Sequence, residues 1–348
     1  MLVGNTLRVN VRWRPAEALA IDDALSSGLA DAGGVPRSGR LHEHDRLRAA
    51  GAADLAWGRL YEGHVNALQL IARLGTERQR LRAEDDVAHG RLFGVWNTQA
   101  ADGVHVTTVD SHGVAIAGRK TFASGAGRVA RAVISVGCPD GSAQLAIVPM
   151  DRVHTTIDRS FWRPYGMEDS DSFAVDFAGV HLEADDLLGG AGDYDRSPWF
   201  TAGASRFVAV QTGGVEQLVA DFGAFLRRRG AHEDPIQLTR FGECVIAART
   251  ALLWTHACVG AWMRYDEAPG EIVEAELLVT VDAARSAVER SALDVAERVE
   301  RGAGARGLLE SEPFARRLRD LRMYLRQPAI DATLLRVASS SLTPRAIT

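Results

Sequence analysis

The hydrophobic period changes twice along this chain, and no fold made of one kind of element can accommodate both changes. From about Arg46 to Leu74, apolar residues such as Leu47, Leu55, Leu60, Val65, Leu68 and Ile71 recur at helical intervals, with Gly51 and Gly75 as punctuation. Between Phe93 and Leu188 the pattern becomes short β-rich runs: 104–109, 114–117, 132–136, 144–148 and 173–177. Asp102-Gly103, Asp140-Gly141 and other turn signals separate them. After Ser197 the helical period returns, over Trp199 to Arg228, Ile236 to Tyr265, Ile272 to Arg301 and Glu312 to Gln327. Pro198, Pro235 and Pro328 fall where proline is compatible with a helix boundary. The order predicts an α+β chain with a short N-terminal helical domain (1–90), a middle, predominantly antiparallel β domain (91–192) and a C-terminal antiparallel four-helix bundle (193–348).

The 348 residues are 46% hydrophobic and 24% charged, which excludes disordered and collagenous classes. A formal net charge of -5 provides no basic field for nucleic acid or anionic lipid, so the expected partner is a small molecule. Charged residues are read as interrupting every apolar run short of a bilayer span, and Met1 to Arg14 lacks the apolar core of a secretory leader. Cys138, Cys244 and Cys258 show no CxxC spacing, which argues against both a disulfide framework and a thiolate metal site. A reducing, cytoplasmic setting is the expectation.

Several suggestive strings have plainer readings. His42-Glu43-His44 has the wrong spacing for a zinc helix and reads as a solvated turn. Glu84-Asp85-Asp86 and Asp185-Asp186 read as acidic pairs in loops, solvated or capping helix ends. The glycine clusters at 125–127, 189–192 and 213–214 are not GxGxxG, and there is neither a phosphate loop nor a nucleophile elbow. Nicotinamide-dinucleotide, nucleotide-hydrolase and serine-hydrolase readings therefore fall away, and no metal site is expected.

The order of segments, with local strings inside them, resembles the acyl-CoA dehydrogenase family of flavoproteins from roughly Asp54 to the C-terminus. Leu92-Phe93-Gly94-Val95-Trp96-Asn97-Thr98-Gln99 is similar to the family's first flavin-contacting stretch. Gly118 to Ala126, GRKTFASGA, is similar to the second, and Gly166 to Phe177 to the segment that closes the β domain. The resemblance implies FAD, with Trp96, Thr98, Phe122 and Ser124 at the flavin ring. It also places Arg228 (or Arg229) with Gln237 at the pyrophosphate of a neighbouring subunit, and Gly302 and Gly304 in the late glycine turn before Pro313 and Arg319-Asp320. A homodimer or homotetramer follows by the same analogy.

The family's chemistry removes a proton beside a thioester carbonyl while the flavin accepts hydride, and so needs a positioned carboxylate. At the two positions where the family carries that base this chain has Pro328 and Ser205. Asp331 is the nearest acid, and it also reads as an N-cap for the apolar run after it. Glu216 and Glu243 read as exposed or paired surface acids. The short N-terminal section implies a wider or differently shaped substrate opening, so a fatty acyl chain is not assumed. Three functions follow: α,β-dehydrogenation of an acyl thioester carried by CoA or a carrier protein, flavin-dependent monooxygenation on the same scaffold, or a catalytically silent binding or scaffolding role.

Overall fold

A computed structural model describes residues 37–342 apart from 99, 112, 310, 327 and 328, so Pro328, Gln99 and the stretch before residue 37 lie outside the described residues. The first lobe is helical: α1 (Arg37–Ala53), α2 (Leu55–Leu74) and α3 (Glu77–Ala88). Asp54 starts α2 by accepting the Trp57 backbone N–H at 2.8 Å. Thr76 and Gln79 form a capping box that starts α3, a helix too polar for the apolar period to reveal. Two sequence expectations are corrected here. His42-Glu43-His44 lies inside α1, not in a turn, and the His44 ring is buried with Nδ1 2.9 Å from the Arg40 carbonyl, its pKa lowered by burial. Glu84-Asp85-Asp86 lies on α3, not in a loop, because the capping box carries the helix through it.

Among the described residues ten strands follow: β1 (Phe93–Trp96), β2 (His105–Val109), β3 (Gly113–Ala117), β4 (Arg119–Ala123), β5 (Arg131–Gly137), β6 (Ala143–Pro149), β7 (Thr156–Asp158), β8 (Phe173–Asp176), β9 (Val180–Glu183) and β10 (Leu187–Leu188). The larger sheet has the order β10-β6-β5-β2-β3-β9, with β1 also paired to β5; the smaller is β4-β8-β7. Every pairing is antiparallel except β1 and β2 with β5. Ile134, Val136, Ala146 and Val148 of the larger sheet pack with Phe173 and Val175 of the smaller.

The last lobe comprises a single turn, α4 (Trp199–Ala202), then α5 (Ser205–Arg228), α6 (Pro235–Glu267), α7 (Glu271–Gly307, kinked at Gly304), α8 (Pro313–Tyr324) and α9 (Ile330–Leu342). Asp234 caps α6 and Pro235 occupies its first turn. α1 lies so close to α5 that a Cβ on Gly213 would come within 1.8 Å of the Arg48 carbonyl oxygen, and one on Gly51 within 2.0 Å of that of Val210. The glycine pair 213–214 thus serves helix contact. α6 contains an 18-residue window of mean hydropathy 1.3, long and apolar enough by composition to cross a membrane, which corrects the reading that charges break every such run. Of that window 44% is buried within the bundle.

The lobes are pinned where the loop before β8 meets α8. Met167 donates its backbone N–H to Asp320 at 2.6 Å, and Gly166 sits where a Cβ would be 2.3 Å from the Arg319 carbonyl oxygen.

Candidate functional site

A cavity of about 610 Å³ opens where the β domain meets both helical lobes, within the size range of pockets that hold cofactor-sized ligands. On its β side, Asn97 and Thr98 leave the end of β1, and Phe122 and Ser124 come from β4 and its end. The β4–β8 register shifts between Lys120 and Ala123, and Phe122 has φ 52. A left-handed aromatic costs about 1–3 kcal/mol and persists only where its surroundings hold it. Here the distortion turns a half-exposed ring into the cavity, edge-on to Phe161 at 5.2 Å and Trp162 at 6.0 Å. Thr121 N–H donates to the Thr98 carbonyl at 3.1 Å, tying the two segments side by side. Behind Ser124, its hydroxyl meets that of Ser172 at 2.9 Å, which meets Ser170 at 2.8 Å.

A buried polar chain also ends at this wall. Lys120 is fully buried and donates to Ser135 Oγ at 2.9 Å, and Ser135 donates to Asn97 Oδ1 at 2.7 Å. Burial pulls the Lys120 pKa down to about 7. Because Asn97 Oδ1 accepts from Ser135, its amide N–H groups are the ones left to the cavity.

The opposite wall is one face of α2. Arg59, Glu62, Asn66, Gln69 and Arg73, at spacings of three and four, all line the cavity. The apolar period of this helix predicts its buried face but not this wall, whose signal in the sequence is the polar stripe at the same period. Glu62 is the one carboxylate among the described lining residues, and both of its oxygens are engaged: Oε2 by Arg59 at 2.6 Å and Oε1 by Arg206 at 3.2 Å. Arg206 also donates to Gln69 Oε1 at 2.9 Å. The bundle completes the enclosure with the aromatic residues Trp199, Phe200, Phe207, Trp262 and Tyr324.

Of the residues singled out from sequence, Thr98, Phe122 and Ser124 come together at the cavity. Trp96 does not line it: 1% exposed, it is a β-domain core residue whose Nε1 donates to the Ser124 carbonyl at 2.9 Å. The others lie in the bundle, outside the lining. Arg228 pairs with Glu312 at 2.8 Å. Gln237 Nε2 donates to the Gly302 carbonyl at 3.1 Å, close to a glycine whose Cβ would strike Phe222 at 2.4 Å. Gly304, with φ 61, makes the kink in α7. Asp331 is exposed in the first turn of α9, and Ser205 is buried under α6, accepting from Trp262 Nε1 at 3.0 Å. Glu216 is buried against Arg48 of α1 at 3.1 Å, not at the surface, and Glu243 pairs with Arg298 at 2.7 Å. The Cys244 and Cys258 thiols are free, buried, and raised by burial to a pKa of about 12.

No family model matches the chain. It is 25% identical over 312 residues to a dibenzothiophene monooxygenase of Rhodococcus erythropolis, covering 80% of this chain and 74% of that one. The crystal structure of FMN-bound TdsC from a Paenibacillus species superposes with a TM-score of 0.79 at 19% identity, over 92% of this chain and 97% of that one. Butyryl-CoA dehydrogenase from Megasphaera elsdenii superposes with a TM-score of 0.76 at 17% identity, over 93% and 89%. The likenesses establish the fold, with a β domain held between two helical lobes.

Proposed function

We propose that this chain, which has the acyl-CoA dehydrogenase-like fold, is a flavin-dependent monooxygenase whose flavin and substrate share the cavity between the three lobes. The observation that carries the reading is the state of Glu62. An α,β-dehydrogenation needs a carboxylate free to take a proton from the substrate, and the only one among the described lining residues has both oxygens held by arginines. Oxygen insertion needs no such base. The likeness to dibenzothiophene monooxygenases supports the same choice.

The residues present fit a flavin. Phe122 gives an aromatic surface, and Asn97, Thr98 and Ser124 place amide and hydroxyl groups along one edge of the slot. When bound in reduced form, the flavin supplies the electrons and the activation of dioxygen that insert one oxygen atom into the substrate. The protein's part is positioning. The Lys120–Ser135–Asn97 chain fixes which way the Asn97 amide faces, and the aromatic residues of the bundle flank the slot. FMN is the favoured form, because of the two residues to which the family resemblance assigns the FAD pyrophosphate, Gln237 spends its Nε2 on the Gly302 carbonyl and Arg228 is taken by Glu312. FMN-bound TdsC supports this choice.

The test is to purify the protein, release and identify its flavin, then supply chemically reduced FMN in air and follow oxygen uptake and substrate mass. Oxygen consumption with a product heavier by one oxygen atom is the expected outcome. Bleaching of bound oxidised flavin by an acyl-CoA without oxygen would instead establish the dehydrogenase reading.

A further inference from the structure

Resting on the reading that substrate enters this cavity, we infer that its α2 end receives the carboxylate or sulfonate of a small organic anion, with Arg73 as the receptor. Seven of the described lining residues are arginines, against the single carboxylate of Glu62. Most of these arginines are already committed: Arg40 to Asp266 at 2.7 Å, Arg59 and Arg206 to Glu62, and Arg336 to Asp282 at 2.6 Å. Arg73 differs. Its Nη2 is buried and has no hydrogen-bond partner among the described residues, and its guanidinium carbon lies 4.3 Å from the centroid of the Trp199 ring.

A buried guanidinium nitrogen left without an acceptor is costly, and an oxoanion is the group that relieves it. Burial, reinforced by the nearby charges of Arg206 and Arg40, lowers the Arg73 pKa to about 10, while Asp193 acts in the other direction. The group is therefore still cationic at neutral pH. Trp199 is itself fixed, packed against Trp262 at 5.3 Å and Tyr265 at 6.0 Å, and Arg40 stacks on Trp262 at 4.3 Å. The Arg73 side chain is thus packed in place before a ligand arrives, which limits the ordering cost of an oxoanion contact. The polar stripe that leads to Arg73 makes this wall a poor surface for a plain hydrocarbon chain.

The test is calorimetric titration of the full chain, saturated with FMN, with benzoate, benzenesulfonate and the neutral isostere benzamide. The anions are expected to bind about tenfold or more tightly than benzamide, as a charge-assisted pair predicts, and to weaken with added salt. Arg73→Gln removes that preference and leaves benzamide binding unchanged. Equal binding of benzoate and benzamide to the unsubstituted protein overturns the inference, and that comparison needs no variant to fold. A fall in FMN affinity in Arg73→Gln also overturns it, by assigning the guanidinium to the flavin phosphate. If the chain binds no flavin, the monooxygenase reading fails, while the anion preference is still read on the flavin-free protein.

Discussion

Lys120 places an ammonium group in the interior of the β domain with a hydroxyl, that of Ser135, as its hydrogen-bond partner. Its pKa falls from 10.5 to about 7 because burial penalises the charged form. Between those values the unfolded chain holds a proton that the folded chain has released, so stability rises with pH across the window, at up to about 1.4 kcal/mol per pH unit. Below pH 7 the lysine is charged in both states and its burial penalty is fully present. Lys120→Met removes this dependence. Its stability relative to the unsubstituted protein should be highest below pH 7 and decline towards pH 10, as urea unfolding at a series of pH values would reveal; parallel pH profiles for the two proteins would show that Lys120 does not titrate in this range. At the cavity, Phe122→Ala removes the ring that the β4 distortion aims inward. FMN affinity should fall about tenfold on loss of one stacked aromatic, measured by flavin fluorescence, with little change in the unfolding midpoint because the ring is half-exposed.

Helix α3 is attached to the larger sheet by a buried ion-pair cluster as well as by Ala83 and Val87, which pack with Phe93 and Val133. Asp86 accepts from Arg131 Nε at 2.6 Å and from Nη2 at 3.1 Å, and Arg91 adds a third contact. Both Asp86 and Arg131 are buried, so removing the acid leaves a guanidinium with only the more exposed Asp151 to balance it. Asp86→Ala should cost about 3 kcal/mol, the lower end for breaking a buried pair. Arg78→Ala, which breaks an exposed pair with Asp185, should cost under about 1 kcal/mol. Chemical denaturation of both variants checks the contrast. This element also marks what was legible in advance. α2 and the long bundle helices follow from apolar residues at helical spacing, and β2, β3, β5, β6 and β8 from short β-rich runs between turn signals. α3 carries too few apolar residues for that signal and is specified by its capping box and by an acid whose partner lies 45 residues away. The site divides in the same way. Thr98, Phe122 and Ser124 sit in strings that resemble a known family. The α2 stripe is a periodic set of polar residues, which on most helices faces water; only the position of the β domain over it turns that face into a cavity wall.

All three lobes contribute to one cavity, so a ligand there binds the assembled molecule and not its separated parts. FMN at a hundred times its dissociation constant should raise the unfolding free energy by about 2.7 kcal/mol, visible as a concentration-dependent rise in melting temperature that Phe122→Ala shifts to higher FMN. The outer surface makes a second demand on the whole molecule. α6 turns Gly242, Ile246, Arg249, Leu253 and His256 outward at intervals of three and four, and Ile246 and Leu253 are 68% and 69% exposed. We propose that a second copy of the chain covers this stripe, because Ile246 and Leu253 leave apolar surface exposed next to Gly242, while Cys244, Ala248 and Ala251 on the opposite side of α6 are already buried in the bundle. Light scattering should give a mass of at least two chains. Replacing Ile246 and Leu253 together by glutamate should reduce it to one, with the helical content unchanged because neither side chain belongs to the core. A single-chain mass for the unsubstituted protein would leave the stripe without this explanation.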